Sequence, residues 1–451
     1  MSPRLLHYSD VENAYDNPDR IGRLAGLLRE RDGPDALVVG TGDNTSPGVL
    51  PLVEEGGQSI PFFRAVGADL ETFGNHDFDY GPDRTLELVA DSPQTWLTAN
   101  VERDGGRFGA GVGTAPWTVE EVDGERVGFF GVTVPTTPSI NPNATDLAFG
   151  DPITAAEEAV AALRERGVDR VVALSHLGTE DRELAVETGV DVVLGGHVHT
   201  EVVERVGDTL LTRPGVNGET LLEVDLATGS VTRHAVTGGP VDESVAGELR
   251  RRMAETGLDE VVATVEDPIE RTEGTVMRGE SRIGNLVADA YRWATGADVA
   301  LQNSGGIRAG PALSGEVTVS DLVSVVPFKE PVAVTEVTGE RLLAALRQAS
   351  GATVSFGEPD WWHAHLSGAN VVWDRSEDRI REATVDGDPV DPDENYTLAT
   401  SAYVFHTDHE FPALAGEGVL DTGRIQYEVL ADYAREVGID PELEGRILRV
   451  G

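Results

Sequence analysis

The chain has 451 residues, with 79 acidic against 35 basic, a net charge of −44, 40% hydrophobic residues and no cysteine. That length exceeds one ordinary core and implies two or three domains; the hydrophobic content excludes a disordered chain, and the lack of thiols excludes disulfides and thiolate metal sites. Acid is spread along the whole sequence and Lys329 is the only lysine, which argues against nucleic acid or anionic membrane partners and reads as the solvated surface of a protein from an extreme halophile. A cation buffer or a nucleic-acid mimic is the rival reading, but the apolar periodicity is that of ordinary globular domains. Residues 1–10 carry no apolar signal core, and no stretch is long enough to span a bilayer. The expected location is therefore cytoplasmic; the oligomeric state stays open.

In chain order, a helix is predicted over 20–31, with Ile21, Leu24, Ala25, Leu27 and Leu28 on one face, then a strand over 36–39. Strands follow over 127–132, 171–174 and 191–194, with a helix over 155–166. This alternation predicts a layered α/β domain whose functional loops gather at the carboxyl ends of strands. Gly238-Gly239-Pro240 breaks the pattern, and a polar helical segment over 243–255 follows, with Arg250-Arg251-Arg252 as a solvated face rather than a phosphate site. A second domain begins near Val261. It has a helix carrying Ile283, Leu286, Val287, Ala290, Tyr291 and Ala294, a strand over 298–301 and a helix over 340–348. The expected domains are thus 1–238, a helical linker 239–260, and 261–451.

The polar residues after these strands carry the chemistry. Asp10, Asp43, His176, His197 and His199 each follow an apolar run, and Gly74-Asn75-His76-Asp77-Phe78-Asp79-Tyr80-Gly81 packs an amide, an imidazole and carboxylates into one turn. Oxygen and imidazole donors suit hard divalent cations. Two such ions about 3.5–4 Å apart need a bridging carboxylate, lower the pKa of bound water and stabilise a transferring phosphoryl group. Asp43 is the natural bridge, since Gly42 lets the backbone bend there.

Asp10, Gly42-Asp43, Gly74-Asn75-His76-Asp77, Ser175-His176 and Gly195-Gly196-His197-Val198-His199 stand in the order and rough spacing of the calcineurin-like metallophosphoesterases. The longer run from Gly74 to Gly81 resembles the 5′-nucleotidase family among them, which includes UDP-sugar hydrolases and 2′,3′-cyclic-nucleotide phosphodiesterases. The resemblance implies that Asp10, Asp43 and His199 hold one metal, that Asp43, Asn75, His176 and His197 hold the other, and that His76 and Asp79 form the catalytic pair. One departure is Asp10-Val11-Glu12, where the family has Asp-x-His. Either Glu12 ligates, favouring a hard ion such as Mn²⁺ over Zn²⁺, with Co²⁺ or Mg²⁺ also open, or the first site is weakened.

The resemblance continues through Gly279-Glu280-Ser281, Asn303-Ser304-Gly305-Gly306-Ile307-Arg308 and Pro327-Phe328. It implies that Asn303, Gly305, Gly306 and Arg308 bind substrate, with Arg278 as a further phosphate contact. Phe328 would be one stacking ring and Phe411 the other, although His406-Thr407-Asp408-His409-Glu410 replaces the usual glycine-rich approach to that ring. Trp361-Trp362-His363 reads as core more than as aromatic substrate surface. The implied fold is a four-layer αββα sandwich with a smaller C-terminal α/β domain that binds the nucleoside part. The implied activity is metal-dependent hydrolysis of nucleotide phosphate esters or anhydrides. A cyclic-nucleotide phosphodiesterase, a sulfur-ester hydrolase and a non-catalytic nucleotide-binding protein are the alternatives.

Overall fold

Alternating strands and helices build two α/β units, Met1–Thr256 and Gly257–Gly451, in the computed structural model, which describes residues 2–353, 360–416, 418 and 421–451. In the first unit the strands Arg4–Tyr8, Ala36–Gly40, Leu70–Thr72 and Thr95–Leu97 run parallel, extended antiparallel by Thr220–Asp225 and Val231–Ala235. A second six-stranded sheet has Glu125–Thr133, Arg170–His176, Val192–Gly195 and Thr209–Arg213 parallel at its centre. Central strands buried on both faces need near-continuous apolar runs, which is how 36–39, 171–174 and 191–194 read.

The two sheets share a core. Leu5, Val39, Leu70 and Leu97 of the first meet Phe129, Val172, Leu174 and Leu194 of the second. The outer face of the first sheet is covered by the helix Ser59–Val66, where Phe62 lies edge-on to Tyr8 at 5.7 Å between centroids and Phe63 lies edge-on to Trp96 at 6.3 Å. The outer face of the second takes Ala156, Ala159 and Leu163 of Pro152–Glu165, with Leu184 and Ala185 of Asp181–Thr188. The result is the αββα order of layers.

The helix Pro18–Arg31 starts where Asn17 accepts the Arg20 N–H, with Pro18 at its first turn. The helix Glu243–Glu255 packs against it within the same unit. It buries Val245, Ala246 and Leu249, and a Cβ on Gly22 would stand 2.9 Å from Ala246 Cβ. Its three arginines are neutralised, Arg250 by Asp19 and Glu243, Arg251 by Glu248 and Glu255, and Arg252 by Glu54 and Glu248.

The second unit is built on a five-stranded sheet in the order Ala364–Ser367, Val299–Asn303, Asn395–Ser401, Pro331–Thr338, Asp421–Ile425. Alternation along Val299-Ala300-Leu301 sends side chains to both faces. Ala300 joins the helices Arg282–Thr295 and Gln426–Glu436, while Val299 and Leu301 join Leu342 and Leu346 of Gly339–Gln348. Trp362 is core: it is fully buried, its Nε1 donates to the Ala364 carbonyl at 2.9 Å, and its ring lies 5.5 Å from that of Trp373. Among the described residues no helix is long and apolar enough to cross a membrane.

Candidate metal centre

Every predicted ligand in the first unit sits where a parallel strand ends. Asp10 and Glu12 follow Arg4–Tyr8, Asp43 follows Ala36–Gly40, and Asn75 and His76 follow Leu70–Thr72. His176 closes Arg170–His176, while His197 and His199 follow Val192–Gly195. The first three strands belong to one sheet and the last two to the other, so the carboxyl ends of both sheets converge on one place. The backbone is bent to deliver them: Asp10, Glu12, Asp43 and His197 all have left-handed φ, of 48°, 45°, 54° and 72°. Non-glycine residues hold such angles at a cost of about 1–3 kcal/mol each, and only where the surroundings enforce them.

Two groups of donors form. Asp43, His176 and His197 bring ligand atoms within 4.8 Å of one another, and so do Asp10, Glu12 and His199. His176 donates from Nδ1 to the Thr41 carbonyl at 2.7 Å, which turns Nε2 towards Asp43 Oδ2, 3.0 Å away. Fixing one ring nitrogen on a backbone oxygen is how proteins orient a ligating imidazole. Asp10 accepts from the Ser9 hydroxyl at 2.5 Å and from the His197 N–H at 3.0 Å. His199 Nε2 lies 3.0 Å from Glu12 Oε1.

The fit to divalent cations is tested by what these groups lack. Asn75 Oδ1 is buried without a hydrogen-bond partner, and Glu12 Oε1 has only the His199 ring beside it. Orphaned buried oxygens call for a partner, and a hard cation satisfies oxygen and imidazole donors together. Burial pushes the Asp10 carboxyl up to about 7, assisted by Asp43. Burial acts the same way on Asp43, but the His176 and His76 imidazoles outweigh it and hold that carboxyl down at about 2. Burial and the neighbouring His176 lower His197 to about 4, which keeps it the neutral imidazole a metal requires.

Beside the donors lies the His76–Asp79 pair. His76 Nδ1 is 3.1 and 3.0 Å from the two Asp79 oxygens, and the ring is half-exposed. Burial works against its charge, but Asp43 and Asp79 raise its pKa to about 10. The His76 N–H donates to Asp43 Oδ1 at 2.7 Å, so one turn links the pair to the donor groups.

Other residues in this unit went unread in the sequence. Asp77 accepts from the N–H groups of Asp43, Gly74 and Thr45 and from the Thr45 hydroxyl, pinning the two loops together. Glu71 accepts from the Tyr8 hydroxyl, the Asn44 amide and the Gly42 N–H. Asn44 in turn accepts the Val11 N–H between Asp10 and Glu12. Asp77 stood inside the quoted motif; Glu71 gave one signal, an acid in an otherwise apolar short strand.

The second unit places its own predicted residues unevenly. Asn303 is buried at the end of Val299–Asn303 and donates to both Glu410 oxygens at 3.0 and 3.2 Å. Gly305 and Gly306 form the single turn after it; a Cβ on Gly306 would stand 2.3 Å from Gln302 Nε2. Arg308 is exposed and stacks its guanidinium 5.0 Å above the half-exposed Phe328 ring. Arg278 is exposed, and its carbonyl accepts from Arg449 Nη1 at 3.1 Å. Phe411 is fully buried in the hydrophobic core, its ring 5.1 Å from that of His363. The residue before it is Glu410, a buried acid whose pKa burial raises.

Comparison with known proteins agrees with this layout. Residues 3–201 match the calcineurin-like phosphoesterase family and residues 261–416 match the 5′-nucleotidase C-terminal domain. The chain is 26% identical over 510 residues to the trifunctional nucleotide phosphoesterase protein YfkN of Bacillus subtilis, across 99% of this chain but only 35% of that protein. It is likewise 26% identical to a 5′-nucleotidase of Diplobatis ommata, over 94% of this chain and 83% of the relative. The crystal structure of a 5′-nucleotidase precursor from Thermus thermophilus superposes over the whole of both chains, with a TM-score of 0.73 at 26% identity. The chain therefore belongs to the calcineurin-like phosphoesterases that carry a 5′-nucleotidase C-terminal domain.

Proposed function

We propose that this protein hydrolyses nucleotide phosphoesters with the help of two divalent cations. The observation that carries the reading is the convergence of two three-residue donor groups beside the hydrogen-bonded His76–Asp79 pair. Mere nucleotide binding has no need of that pair. The family names of the relatives support the same chemistry, although the chain spans only about a third of YfkN.

In this reading Asp10, Glu12 and His199 would hold one cation, Asn75, His176 and His197 would hold the other, and Asp43 would serve both. When bound, the cations supply an activated water and positive charge for the phosphoryl oxygens. The chain supplies the rest. His76, protonated and oriented by Asp79, donates from its free ring nitrogen to a phosphoryl oxygen as charge grows there. Asp79 holds the ring at its other nitrogen. Asn303, Gly305, Gly306, Arg308 and Phe328 take the nucleotide, Arg308 as the cation for phosphate or ribose oxygens and Phe328 as the ring that faces the base. Glu12 adds a carboxylate where the Asp-x-His pattern of the resembled family has an imidazole, which favours Mn²⁺ over Zn²⁺.

The test is phosphate release in molar KCl from AMP, UDP-glucose and 2′,3′-cyclic AMP, with Mn²⁺ and separately with Zn²⁺. Release is expected with Mn²⁺ above Zn²⁺, and His76→Ala should lower kcat about 10²–10³-fold. No release from any of the three substrates, with metal bound, would sink the reading; the preferred substrate would name the ester class.

A further inference from the structure

Asp79 is held by more than its histidine. Oδ2 accepts from the Ser46 hydroxyl at 2.8 Å and Oδ1 accepts from Asn141 Nδ2 at 3.0 Å. The same Asn141 amide donates to the Asn75 carbonyl at 2.8 Å. Its own oxygen accepts the Asn143 N–H at 3.0 Å, and Asn143 Nδ2 donates to the Asp79 carbonyl at 2.7 Å. Asn141 is 5% exposed, so both amide hydrogens and the amide oxygen are spent on these partners.

This arrangement does something His76 cannot. Nδ1 of His76 lies almost equally far from the two Asp79 oxygens, at 3.1 and 3.0 Å, so the imidazole alone does not choose a rotation for the carboxylate. A carboxylate turns easily about its last torsion, whose energy wells are broad. Ser46 on one oxygen and Asn141 on the other remove that freedom. Asn141 also grips the backbone of Asn75, whose own side-chain oxygen is the buried orphan of the donor set. One amide therefore fixes the distance between a cation-holding residue and the acid that orients His76. The segment that carries it is itself anchored, with the Asn141 N–H on the Thr137 carbonyl at 2.8 Å and the Thr137 hydroxyl on the Val134 carbonyl at 2.7 Å.

The geometry points to Asn141 as a positioning residue of the hydrolytic centre, which locks the Asp79 carboxylate and ties the His76–Asp79 pair to the Asn75 turn. The inference rests on the phosphoester reading above. Asn141 acts chiefly through Asp79, whose carboxylate its amide bonds. Its effect should therefore vanish once Asp79 is gone, whereas a residue that merely supports the loop would add its loss to that of Asp79.

The experiment is a double-mutant cycle on full-length protein, scored by phosphate release under Mn²⁺, with a melt on each variant. Asn141→Ala should lower kcat about tenfold to a hundredfold, with KM changed less than about threefold. Asp79→Ala with Asn141→Ala should be no slower than Asp79→Ala alone. Losses that multiply, or an unchanged kcat in Asn141→Ala, would overturn the inference while leaving the phosphoester reading intact. If the alanine variant does not fold, Asn141→Asp serves in the same cycle. It has nearly the same shape but sets an acceptor against two acceptors, and it should lose at least as much. A wild-type chain that releases no phosphate would overturn the phosphoester reading and this inference with it.

Discussion

Glu71 shows what a single buried residue contributes to the centre and what it costs. Its carboxylate is fully buried and joins the Tyr8 hydroxyl, the Asn44 amide and the Gly42 N–H, so it braces the two loops that carry Asp10 and Asp43. Burial raises its pKa to about 8, and Asp77 adds to the shift. The folded value lies above the ordinary 4.5, so between those limits the native chain keeps a proton that the unfolded chain has lost. Stability from this group therefore falls as pH climbs from about 4.5 to about 8 and is level above that. Glu71→Gln keeps the shape and removes the titration. Its unfolding free energy relative to wild type should rise with pH across that window, by at most about 1.4 kcal/mol per pH unit. Melts at pH 5, 7 and 9 in molar KCl check this; parallel curves for the two proteins would refute it.

Elements decide how close the ligand loops come, and glycine sets the limit. A Cβ on Gly74 would stand 2.1 Å from Asp43 Oδ1 and 2.6 Å from the Asp43 nitrogen, and one on Gly196 would stand 2.5 Å from Ser9 Oγ. Gly74→Ala must push the two loops apart. We expect it to lose divalent cation, measured as metal content after gel filtration, and to lose about 1–3 kcal/mol of stability, as overpacking does. Full metal content in a folded Gly74→Ala protein would show that the approach is looser than drawn. The same elements explain what could be read from the sequence. Asp10, Asp43, His176 and His197 are legible because each is a polar residue at or just beyond the end of an apolar strand, and strand ends are where α/β sheets place function. Asn141 was not, because it reaches Asn75 from 66 residues away, on a Pro- and Thr-rich segment that looks like any surface loop. Phe411 could be read either way, as stacking ring or as core, for the converse reason. The residues before it were recognised as altered, but whether a ring faces a ligand or a core depends on tertiary neighbours such as His363, which no local pattern encodes.

At the scale of the whole molecule, charge is the dominant fact. The net charge of −44 is only partly met by local pairs such as Arg251 with Glu248 and Glu255, and exposed pairs contribute little, about 0–1 kcal/mol each. The remaining acids repel one another across both units. The Debye length is about 10 Å at 0.1 M salt and about 3 Å at 1 M, so salt removes the repulsion between neighbouring surface acids without touching the buried cores. Cation affinity at the centre draws on the same field, since negative potential gathers divalent ions as well as potassium. We therefore expect the melting temperature to rise on the order of 10 °C between 0.1 and 2 M KCl, several kcal/mol for units of this size. Equal osmolality of sucrose, which strengthens burial without screening charge, should give a much smaller rise. A melt followed by circular dichroism in both series separates the causes. If sucrose matched KCl, excluded-solute effects would explain the stability. If neither moved it, the acids would be solvated independently of one another, and the surface would carry no salt requirement despite its charge.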